Sequence, residues 1–546
     1  MALWLCHRDE ALRRRARKAV ARRDGAAMAI LMRQILLIVL AAAISRPLGA
    51  TDAGSFVALC YHEVTGDTPE AYSSTAISVR DLAAQFAWLQ ANGYHPVSIE
   101  AIVASRNGGP ALPEHAILLT FDDGLASVHQ RVFPLLKLFK YPAVVAPVGS
   151  WMDLAPNESV SYGEGQVSGA AFVSWSQLRE MQQSGLVEVA SHSYRLHLGL
   201  VGNPMGNVEP AAITRVYADG RYETDDAYVG RLRADLGRAR EQMLGHMQVA
   251  PRVMVWPYGR SNRTSQQVAA SLGMPVGLTL EDGVNTPQTP LATLRRHLVQ
   301  NPMALTALAE ILRQTWPSDP RRSVRIDPGD WPVAGEARLS VTLEQLVALK
   351  PNLVFISPRQ GDAAHQATLF PTARLPMRAD LLNRIGWQIE SRAGAAVYVD
   401  LPADWLGDMD LVGDLARQVN LSGLSVPLVP GSMAAEQLRH AAERWRWPIH
   451  LVYVMQGLPD PGLWSRLPDD DWIRLPARDD VLAGLPDAAR GHVMLQFDAT
   501  RLTPATARQM RALKARGFGD FAIDGLPTAV PDEVRREFSL RDEPRP

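Results

Sequence analysis

ILLTFDDG at residues 117–124 and VEVASHSYRLH at 187–197 share one design: a short apolar run that ends on ionisable side chains. Runs of this length, bounded by polar residues, read as strands buried on both faces. Outward from them, VALCY (57–61), AVVAPV (143–148), VMVWPY (253–258) and VGLTL (276–280) repeat the pattern, with helix-like segments at 81–91, 128–139, 175–184 and 229–247 between them. Strands separated by helices predict a parallel sheet or an α/β barrel, with chemistry gathered where the strands end.

At 546 residues the chain exceeds the roughly 250 to 300 residues that one core supports, so two domains are expected. The stretch WPSDPRRSVRIDPGDWP (316–332) interrupts the pattern with proline and charge and reads as a linker. NLVFIS (352–357), AAVYVDL (395–401), IHLVYV (449–454), HVMLQF (492–497) and DFAID (520–524) then give candidate strands of a second, barrel-like domain. The span from Gly335 to Pro546 is short for a complete eight-fold barrel of about 250 residues, which admits a truncated one. The expected division is an N-terminal extension with a signal peptide at 1–50, a first α/β domain at 51–315, a linker at 316–333 and a second domain at 334–546.

Lys and Arg number 56 against 57 Asp and Glu, a net charge of -1 that offers no field for a nucleic acid, which is therefore excluded as a partner. The two cysteines, Cys6 and Cys60, cannot build a disulfide framework or a thiolate zinc site, so any metal must use His and carboxylates. Arginines crowd residues 13–23, and an apolar run of about ten residues follows from Ile35 to Ile44 before Leu48-Gly49-Ala50. That is a signal-peptide layout, shorter than the roughly 20 residues of a permanent span, and it predicts export across the inner membrane with cleavage near Ala50. An uncleaved anchor is the alternative, and Met28 or Met32, just ahead of the run, is the expected start.

An aspartate with two imidazoles makes a three-ligand face for Zn, Fe, Co or Ni and leaves positions open for water and substrate. The neighbouring aspartate is then free to accept a proton from a water that the cation has acidified. Taken singly, a DDG is most often a turn and a histidine after a strand is most often structural. Here DDG, a His pair five residues apart, WPYG (256–259) and Tyr61-His62-Glu63 all fall at strand ends in one domain. A 2-His-1-carboxylate iron oxygenase would use the same ligands, but it leaves the second aspartate and WPYG without a task.

TFDDG, the His pair and WPYG resemble the motifs of the polysaccharide deacetylases, the family-four carbohydrate esterases. The five-residue His spacing, with YHEV (61–64), FVSW (172–175), RYET (221–224) and TLEDG (279–283), looks like the bacterial poly-β-1,6-N-acetyl-D-glucosamine N-deacetylases. The resemblance runs from about Phe56 almost to the C-terminus, because LFPTARLPMRADLLNRIGWQI (369–389) is similar to the second, glycoside-hydrolase-like domain of those proteins. It implies a distorted (β/α) barrel of the polysaccharide deacetylase type followed by a second (β/α)-barrel-like domain. It also implies one divalent metal ion on Asp123, His192 and His197, Asp122 as general base, and Trp256, Pro257, Tyr258 and Gly259 as substrate-binding residues. His62 is the favoured general acid, with His297 in LRRHLV as the alternative. The implied substrate is β-1,6-linked N-acetylglucosamine exopolysaccharide of a biofilm matrix, deacetylated in the periplasm during export, with outer-membrane export machinery as a further partner.

The second domain departs from its relatives. SGLSVPLVPG (422–431) and FISPRQGD (355–362) stand where they carry acidic strand ends, and glycoside hydrolysis needs a positioned carboxylate pair. The domain is therefore expected not to cut glycan chains. Asp469, Asp470 and Asp471 beside Trp472, with Trp464, form either a glucosamine subsite or an ordinary solvated acidic loop. Rival readings of the whole chain are a deacetylase of a chitin-type glycan or peptidoglycan, and a non-enzymatic glycan-binding export adaptor.

Overall fold

A computed structural model describes residues 54–66, 75–163, 165–300, 303–313, 320–332, 336–446, 448–468 and 471–540. The signal peptide read at 1–50 lies outside the described residues, as do Asp469 and Asp470. The chain divides into two compact units, one holding the residues up to Ser191 with Leu280–Trp316, the other His192–Thr279 with Pro317–Arg545. Among the described residues, no helix is long and apolar enough to cross a membrane.

In the first unit a parallel sheet runs in the order His297–Leu298, Phe56–Tyr61, Ala116–Asp123, Ala143–Pro147, Val187–Val189, and His95–Pro96 pairs beside the start of Ala116–Asp123. Every residue of the strands Phe56–Tyr61 and Ala116–Asp123 is buried, as unbroken apolar runs demand of a sheet covered on both faces. Serines start the covering helices. Ser78 accepts from the Asp81 N–H at the head of Val79–Ala91, Ser98 from Ala101 at Ile99–Arg106, and Ser174 with Gln177 closes a capping box on Trp175–Gln183.

The second unit contains a closed barrel of eight parallel strands: Arg322–Ile326, Leu353–Ile356, Ala396–Asp400, Gly423–Val426, His450–Val454, Trp472–Pro476, Val493–Asp498 and Phe521–Asp524. The last strand returns to the first through Ser323↔Ala522, so the short span still completes the ring. The first strand lies inside the stretch 316–333 that proline and charge had marked as a linker. Its alternation explains the difference. Val324 and Ile326 join the apolar layer under the helices, while Ser323 faces the barrel interior and its hydroxyl meets Met494 Sδ at 3.0 Å. Arg322 is buried, yet its guanidinium donates to the carbonyls of Phe538, Arg321 and Gly519, so the charge is satisfied at the barrel seam.

The same unit holds His192–Thr279, including the 23-residue helix Asp225–Met247, capped by Thr224, and the parallel pair Val253–Val255 and Val276–Leu278. Buried carboxylates run through it. Asp380 accepts from Tyr222 Oη at 2.9 Å and Asn383 Nδ2 at 2.8 Å, and burial pushes its carboxyl up to about 7. Burial also pushes Glu209 up to about 7. Unfolded carboxyls titrate near 4, so between about pH 4 and 7 the folded state keeps protons that the unfolded state has lost. Stability should therefore fall as pH rises through that window. Urea unfolding at several pH values checks this, and Asp380→Asn should flatten the slope; an unchanged slope in that variant would exclude Asp380 as its source.

Candidate active site

Strand alternation sorts the residues around Asp122. Opposed residues on parallel strands point to the same face, so the pair Cys60↔Thr120 puts Cys60 beside Thr120 and Asp122. Cys60 also pairs with Leu298, which sets Arg296, two residues earlier, on that face and turns His297 to the other. The contacts agree. Arg296 Nη1 donates to Asp122 Oδ1 at 2.8 Å and to Thr120 Oγ1 at 3.0 Å, and the Cys60 thiol donates to Asp122 Oδ2 at 3.4 Å. The Arg296 and Asp122 side chains are 0% and 2% exposed. Burial opposes the charge of Arg296, but the surrounding groups, Asp122 foremost and Cys60 and Asp123 with it, together outweigh burial and raise the guanidinium pKa.

Asp123 ends the same strand differently. It and Gly124 adopt φ of 71° and 75°, which breaks the alternation and turns the second carboxylate out of its neighbour's environment. Gly124 is required there, because a Cβ would come within 2.7 Å of Pro147 Cβ. Tyr162 Oη donates to Asp123 Oδ2 at 2.6 Å, and His62 Nε2 lies 4.0 Å from the same oxygen. Burial, then the Asp123 charge, holds the Tyr162 phenol far above its ordinary range, so it remains a donor.

The five-residue spacing of the histidines works because the loop between them closes on a carboxylate. Asp235, on the helix Asp225–Met247, accepts the N–H groups of Tyr194 at 3.0 Å and Arg195 at 2.8 Å, and the Ser193 hydroxyl accepts from Leu196 at 3.0 Å. The rings of His192 and His197 then lie 5.3 Å apart. His192 Nδ1 meets the Val255 carbonyl at 2.7 Å. A carbonyl only accepts, so Nδ1 carries the proton and Nε2 keeps the lone pair that a cation needs.

Among the described residues, two groups of side chains have the density of ligand atoms that a cation requires: Asp123, His192 and His197, and Cys60, His62 and Asp122, each with its ligand atoms within 4.8 Å of one another. Their chemistry separates them. The second already has a guanidinium on its carboxylate, and burial holds the Cys60 thiol well above its usual pKa when a ligand must be thiolate. The first offers one carboxylate and two imidazoles, with a phenol behind the carboxylate and a carbonyl behind one ring, the outer partners that orient metal ligands. It fits a divalent cation such as Zn, Fe, Co or Ni; the second does not.

WPYG splits into two fates. Trp256 is 1% exposed and packs with Leu232, Leu236 and Met254, so it is a core residue and not the substrate-binding residue that the resemblance implied. Pro257 is buried too. Tyr258 is 46% exposed, held at φ 57° before Gly259 at 68°, with its ring centroid 4.4 Å from that of His197. His297 points away from Asp122. Its Nδ1 is 3.2 Å from Asp282 Oδ1, and its Nε2 accepts from the Gly283 N–H at 3.3 Å.

At the C-terminal ends of the barrel strands lies a cavity of about 500 Å³ whose lining includes Arg325, Asp327, Asp330, Arg359, Asp400 and Arg474. Asp400 accepts from Arg325 Nε at 2.8 Å and Arg474 Nη2 at 3.0 Å. Burial alone would raise its pKa, but Arg474, the Ser425 hydroxyl and Arg325 prevail and hold it below the usual carboxylate range. The proposed glucosamine subsite is not formed by Asp471, Trp472 and Trp464. All three are buried, and Asp471 is ion-paired to Arg439 and accepts the Leu451 N–H.

The sequence reading missed Arg296, Tyr162 and Asp235. Arg296 was legible in principle, since two-residue alternation from the strand VALCY to LRRHLV selects it over His297. Tyr162 and Asp235 carry no local signal.

Residues 109–277 match the family model described as polysaccharide deacetylase, and residues 331–407 the one described as hypothetical glycosyl hydrolase family 13. The poly-β-1,6-N-acetyl-D-glucosamine N-deacetylase of Escherichia coli strain K12 is 36% identical over 359 residues, 64% of this chain and 53% of the relative, so the chain spans about half that protein's length. The protein of the same name from Staphylococcus aureus strain MSSA476 is 20% identical over 214 residues, 39% of this chain and 64% of the relative. Among solved structures, the deacetylase domain of BpsB from Bordetella bronchiseptica is 43% identical, covering 46% of this chain and 98% of its own, at a TM-score of 0.42. A de-N-acetylase from Aggregatibacter actinomycetemcomitans is 36% identical, covering 47% and 99%, at a TM-score of 0.45.

Tyr162→Phe deletes the hydroxyl that donates to Asp123 and leaves the ring. Zinc affinity, measured by competition with a chromophoric chelator, should weaken about tenfold or more; unchanged affinity would remove Tyr162 from the site.

Proposed function

The chain belongs to the polysaccharide deacetylase family, and from that premise we propose that it removes acetyl groups from poly-β-1,6-N-acetyl-D-glucosamine, with Asp123, His192 and His197 holding one divalent cation. The observation that carries the reading is the convergence of those three side chains next to an aspartate held by a separate set of partners. When bound, a divalent cation supplies Lewis acidity at the acetamide carbonyl and acidifies a water.

The protein's own groups account for the protons. Asp122, oriented by Arg296 and Cys60, accepts one from the attacking water as the new C–O bond forms. His62, whose ring borders both Cys60 and Asp123, delivers a proton to the departing nitrogen as the C–N bond breaks, giving a free amine and acetate. The loop at Tyr258 contributes a backbone N–H toward the developing oxyanion and an exposed ring toward the sugar. His62 is preferred over His297 because the latter faces the opposite side of the sheet.

Each event exposes an ammonium group on a neutral polymer, changing its adhesion and its recognition by an outer-membrane export pore. The signal-peptide pattern in the sequence of residues 1–50 supports a periplasmic setting for this work. In this reading the barrel serves without glycosidic cleavage, since Gly423–Val426 ends on Ser425 and Val426 with no carboxylate and Asp400 is held between Arg325 and Arg474.

Asp123→Ala, His192→Ala and His197→Ala should each abolish acetate release from a β-1,6 N-acetylglucosamine oligomer, and undiminished release in all three would reject the ligand assignment. Asp122→Asn should lower kcat by about 10²- to 10⁴-fold while zinc is retained. Matched β-1,4 oligomers should be poor substrates; equal rates on both linkages would redirect the assignment to another acetylated glycan.

A further inference from the structure

The strand Val253–Val255 and the loop after it reach both histidines. Val255 supplies the carbonyl under His192, and the turn at Tyr258 and Gly259 brings the Tyr258 ring against His197. A tyrosine at φ 57° stays there only while its surroundings hold it. What holds this one is the exit of the loop. Arg260 Nη2 donates to Glu390 Oε2 at 2.8 Å, and the Glu390 side chain, on the helical turn Ile389–Ala393 of the barrel's outer layer, is 9% exposed. Three residues beyond Arg260, the Arg263 N–H donates to the Trp445 carbonyl at 3.1 Å. Between them Asn262 is buried, caps the helix Arg263–Ser271 through Ser265 N–H, and donates to Tyr228 Oη at 2.8 Å. Within four residues of Gly259 the chain is tied to two segments of the barrel layer, once through the Arg260 side chain and once through the Arg263 N–H.

We propose that Glu390 is a positioning residue for deacetylation, acting through Arg260 to fix the Tyr258 turn against His197 and the Val255 carbonyl beneath His192. The inference rests on the deacetylase reading. It gives the barrel a task in the chemistry that needs no ligand of its own: a rigid anchor for the loop that orients two imidazoles. Glu390 is the buried partner and Arg260 the more exposed one, at 9% and 41%, so Arg260 is the member whose truncation the fold tolerates best. Misplacing a catalytic constellation by about 1 Å costs up to about a hundredfold in rate, whereas a surface pair lost elsewhere costs no rate at all.

The test uses the full chain with four variants: Arg260→Met, Glu390→Gln, the two combined, and Glu390→Asp, which keeps the carboxylate. Asp225→Asn is the comparison, since it removes a carboxylate shared by Arg215 and Arg417 in the same unit without touching the loop. Expected are a fall in kcat of about tenfold in Arg260→Met and Glu390→Gln, with KM within about twofold, and zinc affinity weakened by up to about tenfold. The double variant should be no worse than either single one, Glu390→Asp should recover part of the loss, and Asp225→Asn should lower the melting temperature alone. Should Glu390→Gln not fold, Arg260→Met carries the same readings. Wild-type kcat and zinc affinity in Arg260→Met, or losses that add in the double variant, would overturn the positioning role. A wild-type chain that releases no acetate would instead overturn the deacetylase reading, with zinc affinity still reporting on the loop.

Discussion

Two consecutive aspartates at the end of one strand cannot both act unless the backbone separates them, and the left-handed turn at Asp123 does so. Up to Asp122 the strand obeys its alternation and delivers a carboxylate to Arg296 and Cys60. One residue later the alternation is broken, Gly124 lets the chain pass Pro147, and the second carboxylate meets Tyr162 with the histidines close by. A base that is already paired to a guanidinium makes a poor metal ligand, and a metal ligand makes a poor base. The division of labour follows from backbone geometry before any chemistry is invoked.

The rest of the site serves that division. Asp235 gathers the loop between His192 and His197, the Val255 carbonyl fixes the tautomer of His192, and the left-handed Tyr258 presses its ring on His197. None of these partners is a ligand, yet each decides where a ligand nitrogen points. The barrel is built on opposite priorities. Its strand ends carry arginines and a locked aspartate, and Asp471 is buried against Arg439.

Much of the architecture was legible from local pattern. Buried parallel strands are unbroken apolar runs, and the chemical residues stand where such runs stop, which made ILLTFDDG and VEVASHSYRLH readable at once. What failed was context carried by distant residues. Arg322–Ile326 looked like a linker because its charge is satisfied by carbonyls of Gly519 and Phe538, some two hundred positions away. Trp256 was expected to bind substrate because a motif match cannot tell a tryptophan beneath a loop from one above it. Tyr162 was invisible for the same reason, since a short hairpin brings it to Asp123 with no spacing rule to announce it.

The most direct measurement is an anomalous difference map at the zinc absorption edge from crystals of the full chain grown with zinc. The account predicts one peak at about 2.0–2.2 Å from His192 Nε2, a ring nitrogen of His197 and a carboxylate oxygen of Asp123. A peak bounded instead by Cys60, His62 and Asp122, or no peak at either place, would contradict it.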